Sequence, residues 1–130
     1  MTVGISSANL ATGWLNSLRA TNFTAPVGSF VKLHTADPGA SGATAAAVGS
    51  ATRVTVAFAA PSGNAIALTG TNPSWTNGGT SETLSHISVW DAVSAGNFIY
   101  SAALTSTQAW ASGNTFTLTA LSISLSPIAA

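Results

Sequence analysis

Two histidines, three carboxylates and a surplus of serines are the side chains from which acid–base or nucleophilic chemistry could be assembled in this chain. A hydrolytic triad needs a nucleophile, a histidine to take its proton and a carboxylate to orient that histidine. His34 stands shortly before Asp37 and His86 shortly before Asp91, so either pair could supply base and orienter, with Ser41 or Ser88 as nucleophile. No Gly-x-Ser-x-Gly elbow accompanies them, and in so serine-rich a chain such combinations arise by chance. Glycoside hydrolysis usually takes two facing carboxyl groups. Each available carboxylate has a simpler role: Asp37 opens a Pro38-Gly39 turn, Glu82 precedes a strand, and Asp91 begins a loop whose amides it can bind. His34 and Asp37 lack a third metal ligand nearby, no loop has the alternating oxygens of a calcium site, and no phosphate loop is present. The chain has no cysteine, which excludes a disulfide scaffold and a thiolate metal site. These residues therefore assign no catalytic group, no metal and no cofactor, and the expectation is a protein that is not an enzyme.

The four tryptophans raise a second chemistry, stacking on a sugar face. Trp14 and Trp90 fall on apolar stretches and read as core. Trp75 and Trp110 lie in or beside turns and are the candidate exposed aromatics for ligand or receptor contact, against the alternative of packing beneath a loop.

Charge is the most unusual property. Arg19, Lys32 and Arg53 face Asp37, Glu82 and Asp91 for a net charge of zero, whereas about a quarter of the residues in an ordinary soluble domain are charged. A surface kept in solution by Ser, Thr, Asn and Gly suits a subunit set among identical copies, where a repeated charge repels and a buried one needs a partner. Three scattered cations are too few to neutralise a nucleic-acid backbone. No apolar run approaches the roughly eighteen residues of a spanning helix, and no basic start precedes an apolar run, so neither a membrane segment nor a secretory signal is expected.

The elements follow from periodicity. Residues 1–130 read as one domain. Ser6 or Ser7 caps a helix over 6–20, in which Leu10, Trp14, Leu15 and Leu18 form one apolar stripe and Arg19 suits the last turn. A lone helix of about four turns is not stable alone, so these four residues are the candidate assembly contacts, lying on a sheet or on another subunit. From 29 to 126 the pattern is that of a β-sandwich, with a long Gly/Ala/Ser/Thr-rich surface loop over 37–50. Strands are expected at Phe30–Thr35, Arg53–Phe58, Ala65–Leu68, Leu84–Trp90 and Phe98–Leu104, the last two as a hairpin, with a turn-rich stretch over Thr69–Thr80. In Thr115–Leu125 the apolar residues change from even to odd positions near Ala120, which predicts a bulge or a strand passing between sheets. The fold class is mainly β: an antiparallel sandwich of about seven or eight strands with one N-terminal amphipathic α-helix.

Three segments, Trp14 to Arg19, Val31 through Asp37-Pro38-Gly39-Ala40 to Gly42, and His86 to Ala92 followed by Gly96-Asn97-Phe98, resemble small virion proteins of tailed bacteriophages, especially those of actinobacteria. Such proteins are labelled head-decoration, minor tail or tail-fibre proteins. The resemblance implies a non-enzymatic structural role in the virion, assembled in the host cytoplasm, and transfers no catalytic residues. Without a shaft or trimerisation stalk, the compact chain is expected to be a capsid decoration protein on the outside of the head. Its partner would then be the major capsid protein and its oligomer a trimer. The alternative is a minor tail or tail-fibre protein that partners tail proteins and contributes to host-surface or glycan binding.

Overall fold

The computed structural model describes residues 3–126; the first two and last four residues of the expected 1–130 span lie outside the described part. Ser6 caps the N-terminal helix by accepting a hydrogen bond from the Asn9 amide at 3.2 Å. A π-helical turn, Ser7–Ala11, runs directly into α1, Thr12–Ser17. The helix stops short of the expected residue 20. Ala20 adopts a left-handed φ of 57°. The Thr21 amide bonds the Asn16 carbonyl and the Ala20 amide bonds that of Ser17, which is the six-to-one and five-to-two pairing of a Schellman stop. Arg19 consequently lies beyond the last turn, and its guanidinium donates to Asn16 Oδ1 instead.

Nine strands occur among the described residues: β1 Phe30–His34, β2 Val54–Thr55, β3 Ala57–Phe58, β4 Ala65–Thr69, β5 Ser74–Thr76, β6 Glu82–Trp90, β7 Phe98–Trp110, β8 Thr115–Thr117 and β9 Ser122–Ser124. All pair antiparallel, in a four-stranded sheet of order β2-β1-β6-β7, a three-stranded sheet β3-β4-β9 and the pair β5-β8. The mainly-β antiparallel class with one short N-terminal helix is therefore as the periodicity predicts. Strands exceed the expected number because two predicted strands each divide and a further one, β5, forms inside the stretch expected to be turn-rich. Arg53–Phe58 breaks at Val56, whose amide bonds Ser29 O, so that β2 joins one sheet and β3 another. The alternation survives the break, since Val54, Val56 and Phe58 all meet the core. In 115–125 the chain crosses between sheets over 118–121, where the phase change lies.

Period two fixes which face of the large sheet is buried. Register pairs Val31 with Val89 and Leu33 with Ile87, and these four side chains are at most 1 % exposed. Leu68, Ile123, Trp75 and Phe116 from the smaller sheets, together with Leu10 from the helix, complete one core. The opposite face carries Phe30, Lys32 and His34 on β1 against Trp90, Ser88 and His86 on β6. The 37–50 loop is held against this sheet by the His34–Ala46 bridge and is less superficial than its composition suggests, with Pro38 and Ala47 buried. Gly42 fits there for a steric reason: its φ is +70° and a Cβ would collide with the Phe98 ring.

β7 runs past the expected Leu104 to Trp110. Its second half, Thr105–Ala109, is exposed and polar, so no apolar alternation marks it. The outer edge of its first half is padded by the N-terminal segment, through Ser6 N–H to Ile99 O and Ser101 N–H to Gly4 O.

Candidate functional site

Two of the side chains that could have made a triad, His34 and Ser88, are drawn into a buried hydrogen-bond chain instead. His34 Nδ1 lies 2.8 Å from the Thr44 carbonyl, which can only accept, so Nδ1 carries the proton. Nε2 is then the acceptor and takes the Ser88 hydroxyl proton at 2.7 Å, while Ser88 Oγ in turn accepts from Trp90 Nε1 at 2.8 Å. His34 and Ser88 have no exposed surface. Burial is the main cause that holds the His34 pKa below its ordinary value, opposed by the bond to Thr44. These bonds join β1, β6 and the 37–50 loop and engage both ring nitrogens of His34.

The carboxylates are likewise occupied by backbone amides. Asp37 accepts from the Gly39 amide at 2.8 Å, as its turn position predicts. Asp91 accepts from the Asn97 amide and side chain across the β6–β7 connection. Glu82 lies in β6 itself and binds the Val48 and Gly49 amides at 3.1 and 2.8 Å, fastening the far end of the loop. His86 bonds Ser85 Oγ rather than Asp91.

Trp75 and Trp110 are not exposed aromatics. They are 3 % and 2 % accessible, and their indole N–H groups donate to the carbonyls of Thr52 and Asn114. Turn-forming neighbours misplace them because β5 and β8 pair across those turns, setting Trp75 against Phe116 with ring centroids 6.1 Å apart.

The helix stripe divides by depth. Leu10 is 5 % exposed and enters the core, and Trp14 is half-buried, whereas Leu15 and Leu18 are 65 % and 84 % exposed. Trp14 also forms one wall of an apolar groove of about 500 Å³ whose other walls include Pro61, Ile66, Ile123 and Leu125. Leu18 follows Trp14 by one helical turn, and Leu125 is itself 60 % exposed. Leu15, Leu18 and Leu125 are thus large apolar groups left exposed.

A further arrangement carries no signal in the sequence, because its members come from distant segments. The Arg53 guanidinium carbon lies 3.7 Å from the centroid of the Trp90 ring, and Nη1 donates to the carbonyls of Ala92 and Ala95. Burial is the main cause lowering the pKa of Arg53, and the charge of Asp91 acts in the opposite sense. The neighbouring Lys32 is also lowered, first by burial and then by the charge of Arg53.

Compared with known proteins, residues 5–126 match the family model described as podophage GP4 fiber I protein gp80. No curated protein matches the chain.

Proposed function

The chain belongs to the podophage GP4 fiber I protein gp80 family, and on that premise we propose that it is a non-enzymatic building block of a phage fibre, held by the apolar surface around its N-terminal helix. Membership makes it a phage structural protein and a component of the virion. It supports the tail-fibre alternative better than the head-decoration reading that composition favoured, and the proposal follows it. The partner is then a tail or fibre protein, or further copies of the chain, with a trimer as the expected oligomer. The carrying observation is the exposure of Leu15 and Leu18 at the C-terminal end of the helix whose Trp14 lines the groove, in a chain with so few charges to keep such a surface apart from its neighbours.

Exposed leucines contribute little to the isolated fold, so Leu15→Ser with Leu18→Ser should change its stability by no more than about 0.5 kcal/mol per site. The same double variant is expected to lose self-association in sedimentation and occupancy in assembled particles. Unchanged association together with full occupancy would remove the helix from the assembly role.

A further inference from the structure

Lys32 and Arg53 are two of the chain's three cationic residues, and the fold sets them side by side. The β1–β2 register pairs Phe30 with Thr55 and Val31 with Val54; continued by one step, it brings Lys32 opposite Arg53. Directly opposed like charges destabilise an antiparallel pair. Both side chains are partly buried, which strengthens the repulsion.

The chain does little to relieve it. Asp37, Glu82 and Asp91 are all hydrogen-bonded to backbone amides, and although Asp91 favours the Arg53 charge from nearby, the guanidinium donates to the Ala92 and Ala95 carbonyls. A second copy would bring only the same occupied side-chain carboxylates. Trp90 braces the guanidinium plane, and bonding through Nη1 leaves Nε and Nη2 without a protein acceptor among the described residues. A rigid, incompletely paired fork beside an ammonium suits a planar or tetrahedral oxyanion.

We propose that Lys32 and Arg53, the latter braced on Trp90, form a binding site for a carboxylate or phosphate group carried by an anionic surface polymer. The oxyanion chemistry stands on the fold alone, while the polymer as its source rests on the fibre reading. Two cations make a weak single site, which repetition across copies strengthens through avidity. They are too few to hold a nucleic acid.

The test titrates the intact protein, at fixed ionic strength, with sodium phosphate, polygalacturonate and poly(glycerol phosphate). Amide and indole NMR signals of Lys32, Arg53 and Trp90 are followed. The wild-type protein should show saturable shifts with phosphate and, at lower concentration per charge, with at least one polymer. Lys32→Gln should weaken both by about tenfold, the loss of one charged hydrogen bond. The same variant should melt at a higher temperature than wild type without ligand, because the repulsion is gone, and should lose the rise in Tm that phosphate brings. Arg53→Lys keeps the charge but not the fork and should also bind less tightly.

No saturable response, one matched by sodium chloride, or one unchanged in Lys32→Gln overturns the site. Response to phosphate without either polymer overturns the polymer source. Particle incorporation of Lys32→Gln should equal that of wild type. Incorporation is the separate measure on which the fibre reading stands or falls.

Discussion

Ser88 holds together two side chains that would otherwise be stranded in the interior. Its hydroxyl donates to His34 and accepts from Trp90, so Ser88→Ala leaves one buried acceptor and one buried donor unpaired. The expected loss is about 2–4 kcal/mol in chemical denaturation. His34 also gives stability a pH dependence of definite sign. Its folded-state pKa lies below the ordinary 6.5, so the unfolded chain takes the proton first. The contribution is complete above about pH 6.5 and declines as the pH falls through that value toward the lower folded pKa. Urea midpoints measured from neutral to mildly acidic pH should fall accordingly, and a His34→Gln variant should show a flatter profile. The serine–histidine contact is legible in the sequence only as two residue types; that they meet across β1 and β6 follows from strand register.

Among the elements, the N-terminal helix has the most improvable end. Ala20 occupies the left-handed position of its Schellman stop, where a Cβ meets the following carbonyl and glycine does not. Ala20→Gly should stabilise the protein by roughly 0.5–1 kcal/mol, relief of strain outweighing the added freedom of the unfolded chain. A rise in the thermal midpoint without change in secondary structure would report it. The same helix shows how far periodicity reaches. Spacing places Leu10, Trp14, Leu15 and Leu18 on a common stripe, yet only the first is sealed in the core. How deep each position lies depends on where the sheets end, and no spacing within the helix carries that. β7 fails in the opposite way: past a register shift its end is held to β6 by the pairs Leu84–Gln108, Thr83–Ala109 and Glu82–Trp110, so the strand continues without the alternation that would announce it.

For the whole molecule, scarcity of charge and exposure of leucine point in one direction. The proposed assembly surface of Leu15, Leu18 and the Trp14 groove is apolar, so self-association through it should persist, or tighten, when salt is raised. Anion binding at Lys32 and Arg53 should weaken over the same range. Sedimentation and titration across ionic strength therefore separate the two surfaces in one protein. In the proposed reading the first surface builds the particle and the second meets an anion from outside the chain.

What the chain of residues decided unaided was the class of fold, the strand positions with apolar alternation, the turn role of Asp37, the loop role of Asp91 and the change of face near Ala120, which left a bulge and a crossing both open. Each is written in neighbours a few positions apart, where backbone geometry acts directly. Only the folded arrangement settled the rest. Trp75 and Trp110 disappear beneath paired turns, Glu82 reaches back to the 37–50 loop, His34 finds Ser88, and Lys32 comes to face Arg53. These are long-range meetings, decided when separate strands compete to bury the same apolar face. The energy that chooses among them belongs to the packed whole and leaves no local pattern.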